Sequence, residues 1–390
     1  MKLLVIGAGL AGAVTARTLV EKNDAIKIQI IDSRDHIGGN CHTSRDESTD
    51  VMVHQYGPHI FNTNNEKVWQ YVNSFGEFMP FTNRVKAVTE KGVFSLPMNL
   101  LTINQFFGKT LTPDEAKEFV KTLSDDSTVE AKSFEDQALK FLGRDLYEAF
   151  FYGYTKKQWG CEPSELPASI LKRLPMRFNY DDNYYNSKYQ GIPKDGYSAI
   201  IEKILDHPNI NVKLGTAYDK SMEADYDHTF YSGSIDSYFD YEKGRLSYRT
   251  VFFEKEEHKG DFQGNPVINY TSSKVPYTRI HEHKHFAPWE NHEKTVVFTE
   301  YSKTTEKTDV PYYPVRLKND MELLKEYLDL AIEERPVSFI GRLGTYRYLD
   351  MDQVIAESLS FAERLAEAKV EDWAKAEFRF GKDPFEPVTK

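Results

Sequence analysis

Lys2-Leu-Leu-Val-Ile-Gly-Ala-Gly-Leu-Ala-Gly12 opens the chain with a short apolar run that passes directly into Gly-x-Gly-x-x-Gly. Lys2 to Ile6 reads as a buried strand, and Ala13 to Glu21 as a helix. A second apolar run, Ile26 to Ile31, ends on Asp32. Strand, glycine turn, helix, strand and acid in that order form the dinucleotide-binding βαβ unit. Gly7 permits the tight turn, Gly9 lets backbone N–H groups approach a pyrophosphate, and Gly12 lets the helix lie close on the strand. With Leu10 and Ala11 they make a helix N-terminus whose unpaired N–H groups and partial positive charge suit phosphates. Asp32 can accept hydrogen bonds from a ribose.

The next residues say which dinucleotide. Ser33-Arg34-Asp35-His36-Ile37-Gly38-Gly39-Asn40 places a second glycine pair after the acid, with Arg34 between. This resembles the extended fingerprint of FAD-binding proteins of the glutathione-reductase and amine-oxidase type. FAD is therefore the expected cofactor, with Ser33, Arg34, Gly39 and Asn40 joining the glycine turn around it.

A chain of 390 residues has room for two or three domains with their own cores. Its 24 Tyr and 25 Phe suit sites that stack flat ligands, and Tyr can hydrogen-bond them as well. The formal net charge of −11 argues against nucleic acid or an anionic membrane as the main partner, while leaving room for a local basic pocket. Cys41 and Cys161 provide no disulfide framework and no metal-ligand spacing, which fits a reducing cytoplasm. No stretch reaches 18 consecutive apolar residues, so no membrane span is expected, and the glycines break up any signal-peptide core.

Further along, Val51 to His54 reads as a strand, Asn64 to Phe75 as a helix, and Val85 to Leu96 as a hairpin around Lys91-Gly92. Thr112-Pro113 and Ser133-Phe-Glu-Asp136 are helix starts within a helical insertion. Residues 176–192, rich in Tyr, Asn and Asp, offer no regular element. Strand-like runs between 246 and 300 suggest an antiparallel sheet, and helices are expected around Leu323 to Ala331 and from Met351 to Ala368. The expected fold is α/β with three parts. A Rossmann-like FAD-binding domain comprises 1–83, 193–243 and 317–370. A helical domain with a mobile substrate loop spans 98–175. An antiparallel sheet domain is built from 84–97, 176–192 and 244–316. Residues 371–390 form a tail expected to be loosely held.

Five stretches together resemble the UDP-galactopyranose mutase family. They are His36-Ile-Gly-Gly-Asn40, Tyr56-Gly-Pro-His-Ile-Phe61, Gly153-Tyr-Thr-Lys-Lys-Gln-Trp-Gly160, Val275-Pro-Tyr-Thr-Arg279 and Gly341-Arg-Leu-Gly-Thr-Tyr-Arg-Tyr-Leu-Asp-Met351. The resemblance covers residue 3 to about 365. It implies a bacterial-type enzyme that interconverts UDP-galactopyranose and UDP-galactofuranose on reduced FAD. N5 of the flavin attacks the anomeric carbon, UDP departs, and the opened sugar closes through another hydroxyl without net redox. It also implies a homodimer and an external reductant such as NAD(P)H. Two positions depart from the family: Asn62 and Arg84 stand where relatives carry His, which bears on the choice between galactose and its N-acetylamino relative.

What the resemblance implies for the site falls on particular residues. Arg173 and Arg249 match the arginines that face the diphosphate, a role suited to a permanently charged planar fork. Phe150, Phe151 and Tyr154 match residues that hold uracil, and Trp159 matches the tryptophan of the substrate-gating loop. Gly153 and Gly160 would give that loop flexible ends. Asn269 is a sugar or base contact; Tyr184, Tyr313 and Tyr348 bond the diphosphate; Asp350 faces the sugar or the flavin edge. Arg279 and Arg342 contact substrate or flavin or serve the fold. His59, Ile60, Arg342, Asp350 and Met351 complete the flavin set, His59 being a candidate for the chemistry too. His281-Glu-His-Lys-His285 would share one strand face, but no fourth ligand accompanies it and no metal is expected. Two other readings stay open: an FAD-dependent oxidoreductase of the amine-oxidase superfamily, and a nucleotide-binding module without catalysis.

Overall fold

The strand Lys2–Ile6 lies at the centre of a five-stranded parallel sheet in the order Ile210–Lys213, Lys27–Ile31, Lys2–Ile6, His228–Tyr231, Val337–Phe339. Alternation decides which side chain goes where. Leu3 and Val5 join the cluster built by helices Leu10–Lys22, Gly196–Leu205 and Met351–Glu367. Leu4 and Ile6 point the other way, into the cluster held by helix Lys318–Glu333. Both faces are covered, as a parallel sheet requires. The computed structural model describes residues 1–124, 131–173, 176–334, 336–375, 377 and 379–385, without the side chains at 169, 172, 173 and 374.

A seven-stranded sheet runs Tyr313–Pro314, Tyr248–Lys259, Lys294–Thr304, Arg279–Glu282, Val267–Tyr270, Val85–Thr89, Gly92–Leu96. Every join is antiparallel except that between Val267–Tyr270 and Val85–Thr89. Against one end pack helices Leu100–Phe107, Pro113–Leu123 and Phe134–Tyr147. Thr112 with Glu115 and Ser133 with Asp136 cap the last two as reciprocal boxes, as the sequence suggests.

Three expectations change. Within the stretch that offered no regular element, a strand, Tyr189–Pro193, begins and lies between Phe61–Thr63 and Phe78–Pro80. Tyr-Gln-Gly-Ile-Pro has no alternation to betray it. Among the described residues of the tail, 379–381 are docked, not loose: Phe339 N–H donates to Arg379 O at 2.7 Å, and Phe380 stacks on Phe339. Buried Arg379 donates to Val337 O. Finally, the strand containing His281 ends at Glu282, and His283–Phe286 forms a 3₁₀ turn, so the three histidines share no strand face.

Glu282 in that segment is fully buried and accepts N–H bonds from Phe262, Gln263 and Gly264 at 2.8–2.9 Å. Burial works against its charge, but His285 and these N–H groups hold its carboxyl down at about 2. A lowered carboxylate pKa stabilises the fold above the unfolded value, near 4.5, and the benefit fades as pH falls toward 2. Glu282→Gln is therefore expected to lose about 3 kcal/mol at pH 7 in urea unfolding, with the gap to wild type closing below pH 4.5. A gap independent of pH would refute this.

Candidate active site

The glycine turn is built as a phosphate cradle. Gly7 adopts φ +105°, and a Cβ on Gly12 would fall 2.1 Å from Gly7 O, so helix and turn touch through backbone alone. Gly9 caps the helix without a side-chain bond, and the first turn carries no acid, leaving its N–H groups available to an anion. Gly39 packs on Gly9, where an added Cβ would come within 3.3 Å. Asp32 braces this turn: its carboxylate accepts from Ala8 N–H at 2.9 Å and Arg34 N–H at 3.0 Å. Arg34 lies over Tyr56, donates to Asn40 Oδ1 at 2.9 Å, and has a buried Nη1 with no partner among the described residues. Ser33 is exposed in the bend. An uncapped helix end, a bare glycine floor and an unsatisfied guanidinium fit a dinucleotide diphosphate.

Next to it, His59 donates from Nδ1–H to Gly57 O at 2.8 Å, since a carbonyl can only accept; its Nε2 is then a lone pair. Burial pushes its imidazole down to about 4, so it is neutral at pH 7. Ile60 packs in a small apolar cluster with Phe81, Val85 and Phe286. Asp350 precedes helix Met351–Glu367, and its N–H donates to Gln353 Oε1 at 2.8 Å. Arg342 donates to Leu349 O and Tyr312 O and lies over Tyr313 and Tyr348, which stack on each other at 5.7 Å.

A cavity of about 550 Å³ opens on the helical side. Phe150, Phe151, Tyr154, Trp159, Tyr184 and Asn269 all line it, with Met98, Leu171, Met176 and Phe178. Phe150 belongs to a core aromatic chain through Phe94 and Phe106, so it serves both core and cavity. Asn269 is nearly buried, and its Oδ1 has no partner among the described residues.

Arg279 is an electrostatic hub beside the cavity residues Tyr154 and Tyr184. It faces Tyr154, Tyr313, Tyr184, Tyr185 and His59. Fully buried Glu300 grips its Nε at 2.9 Å and Nη2 at 2.6 Å. Burial opposes the charge, but Glu300 keeps the guanidinium firmly protonated. The phenols of Tyr154, Tyr184 and Tyr185 are pushed up by burial and stay protonated donors.

Not every sequence candidate joins this group. Arg249 is buried and donates to Gln158 O at 2.9 Å, Lys157 O at 3.3 Å, Thr304 Oγ1 at 2.9 Å and Ser302 Oγ. It has no carboxylate partner among the described residues. Arg84 pairs with Asp182 at the surface and does not line the cavity. Asn62 accepts from Ser187 Oγ at 2.9 Å, tying its strand to the Tyr- and Asn-rich segment. The Arg173 side chain lies outside the described residues. Gly153 and Gly160 bound a helix, Gly153–Trp159, and each has a packing role: Cβ atoms there would fall 2.4 Å from Thr271 O and from Arg249 Nη1. Glu300, Tyr185 and Lys157 escaped the sequence reading; only Lys157, inside a quoted block, carried a signal.

The family model described as UDP-galactopyranose mutase matches residues 149–348, a stretch that holds the hub and the cavity residues Phe150, Phe151, Tyr154, Trp159, Tyr184 and Asn269. A relative named "Probable UDP-galactopyranose mutase" from Klebsiella pneumoniae is 58% identical over 93% of this chain and 94% of its own. The chain belongs to the UDP-galactopyranose mutase family. Another member of similar length, named dTDP-fucopyranose mutase, from Escherichia coli, is 51% identical over 93% of this chain and 97% of its own. The crystal structure of a reduced UDP-galactopyranose mutase superposes with a TM-score of 0.72 over 96% of this chain and 95% of that one; at 14% identity it speaks for the fold. Residues 5–75 match the NAD(P)-binding Rossmann-like domain. As in the family's other flavoproteins, FAD is the cofactor that the cradle fits. Among the described residues no helix is long and apolar enough to cross a membrane.

Trp159 gives this mutase a built-in reporter. It lines the cavity, whereas Trp69 packs among Phe61, Phe78 and Tyr189, Trp373 against His228, and Trp289 against the Ile60–Phe286 cluster that Tyr184 and Tyr185 also join. UDP is expected to change the fluorescence of the wild type, with most of the change lost in Trp159→Phe. Trp159→Ala should bind UDP about tenfold more weakly. A signal that ignores saturating UDP places the nucleotide elsewhere.

Proposed function

We propose that the protein interconverts UDP-galactopyranose and UDP-galactofuranose on reduced FAD, without net oxidation of the sugar. The observation that carries this is Arg279, held charged by Glu300 beside Tyr154 and Tyr184 of the apolar cavity. The uracil would stack against Tyr154 between Phe150 and Phe151, with Asn269 Oδ1 accepting from the base and Trp159 closing the edge. The diphosphate would then meet Arg279, Tyr184, Tyr313 and Tyr348, with Arg249 and Arg173 supplying further charge. Donors aimed at the departing diphosphate stabilise it as it leaves, and a fixed pose brings the anomeric carbon to the cofactor. Reduced FAD supplies the nucleophile. His59, neutral, offers an acceptor at Nε2, and Asp350 a carboxylate near the sugar.

Arg34, Asn40, Gly39 and the Gly7–Gly12 turn would hold the FAD diphosphate and ribose, with Ile60, Arg342 and Met351 around the ring. An external reductant such as NAD(P)H, a homodimer and a cytoplasmic setting complete the proposal. The test is to mix dithionite-reduced protein with UDP-galactofuranose and follow UDP-galactopyranose by chromatography. No interconversion, or an oxidised sugar instead, would reject it. The relative named dTDP-fucopyranose mutase favours one second reading, a thymidine-linked 6-deoxy sugar. The apolar cavity wall would tolerate a 5-methyl group, and the same assay with dTDP-fucofuranose decides between them.

A further inference from the structure

Lys157 sits one turn beyond Tyr154 on the helix Gly153–Trp159, and its ammonium leaves that helix altogether. Its Nζ donates to Tyr270 O at 2.7 Å, Ser272 O at 2.8 Å and Tyr277 O at 2.8 Å. All three N–H donors are spent on the connection between strands Val267–Tyr270 and Arg279–Glu282. Asn269 is the second-last residue of the strand that enters this connection, and Arg279 is the first of the strand that leaves it. One ammonium therefore fastens the element that carries Tyr154 to the element that carries Asn269 and Arg279.

The fastening matters because chain continuity holds this helix at one end only. It prolongs the helical run of Phe134–Tyr147 through a π-helical segment, Glu148–Tyr152, and past Tyr154 its place depends on tertiary contacts. Its other anchors lie at its ends: Gly153 against Thr271 O, and Arg249 on the carbonyls of Lys157 and Gln158. Lys157 holds the middle. The connection it grips is in turn tied to the sheet, with Thr271 N–H on Val88 O at 3.1 Å and Tyr270 N–H on Thr278 O at 2.9 Å.

We propose that Lys157 is a positioning residue that sets the width of the nucleobase slot by clamping Tyr154 against Asn269. This rests on the uracil placement proposed above. The ligand is the base of a nucleoside diphosphate, and Lys157 acts on it only through the two walls.

The test uses flavin-loaded full-length protein and UDP, titrated by calorimetry, with Lys157→Met, Lys157→Gln and Lys157→Arg. Loss of even one charged hydrogen bond from a slot wall is expected to weaken UDP by about tenfold or more in the Met variant. Lys157→Gln should weaken it less, and Lys157→Arg, which keeps charge and donors, should restore most of the affinity. In turnover, KM should rise with kcat nearly unchanged and the flavin spectrum intact. A role confined to folding would instead lower the number of binding sites and leave the affinity of the rest unchanged; that result overturns the proposal. So does a folded Met or Gln variant that binds UDP like wild type, or failure of all three variants to fold. Wild-type protein that binds flavin but no UDP overturns the uracil placement itself, and this inference with it.

Discussion

Protein reduced with dithionite under nitrogen turns over UDP-galactofuranose many times while its flavin spectrum stays reduced, and the same sample reoxidised in air shows no turnover: this is the expected result, and the largest effect. The reasoning starts from what the cleft contains. Its polar groups are protonated phenols, a guanidinium locked onto a carboxylate and a neutral imidazole. These groups bind and orient a diphosphate. In the proposed reaction the attacking lone pair is that of N5 of the cofactor, which has it only when reduced. An oxidase built on the same cradle behaves oppositely, starting from oxidised flavin and reducing one flavin per sugar. Equal rates in both states, or one oxidised sugar per flavin reduced, would end the mutase reading. The measurement is product chromatography beside the absorbance of the same anaerobic sample.

Arg249→Ala is expected to cost about a hundredfold in kcat/KM, with flavin absorbance retained. Two losses combine. The buried guanidinium draws together the carbonyls of Lys157 and Gln158 and the hydroxyls of Ser302 and Thr304. Removing it frees the end of the helix that carries Tyr154 and Trp159. It also removes a buried cation that has no carboxylate partner among the described residues; with its donors engaged inside the protein, its charge would act on a diphosphate through the field and not by contact. Burial pulls its pKa down, which marks a charge short of counter-ions. Arg249→Lys should recover little, since an ammonium cannot span four acceptors on two elements. Wild-type rates in Arg249→Ala would put the diphosphate elsewhere.

How much of this was legible beforehand varies with the kind of signal. The βαβ unit was fully readable, because Gly7, Gly9, Gly12 and Asp32 follow one another at spacings dictated by the cofactor. Capped helices such as Pro113–Leu123 were readable because Thr112 and Glu115 satisfy each other locally. Phe150, Tyr154, Trp159, Tyr184 and Asn269 were named from matched blocks, and they meet at one cavity. The strand Tyr189–Pro193 was not readable, since its pairing with two distant short strands leaves no periodic trace. Glu300 was missed for a similar reason: its importance comes from lying across from Arg279 in the register of two strands. Gly153 and Gly160 were read as hinges because glycine looks the same whether it supplies freedom or room. Only the neighbours, Thr271 O and Arg249, tell the two apart.

The strand order of the parallel sheet bears on how the protein is made. Lys2–Ile6 leaves the ribosome long before its neighbour on one side, His228–Tyr231; beyond that lies Val337–Phe339, and Arg379 and Gly381 pair with Phe339. The cradle's opening residues therefore wait for strands more than 200 residues downstream to bury them. Pairings this far apart in sequence are slow to close and leave strand edges exposed meanwhile. A nascent chain halted after the helical insertion would present the glycine turn without a finished sheet. FAD capture thus follows synthesis of the strand Val337–Phe339, and lowering the growth temperature during expression should favour the soluble yellow protein over aggregates.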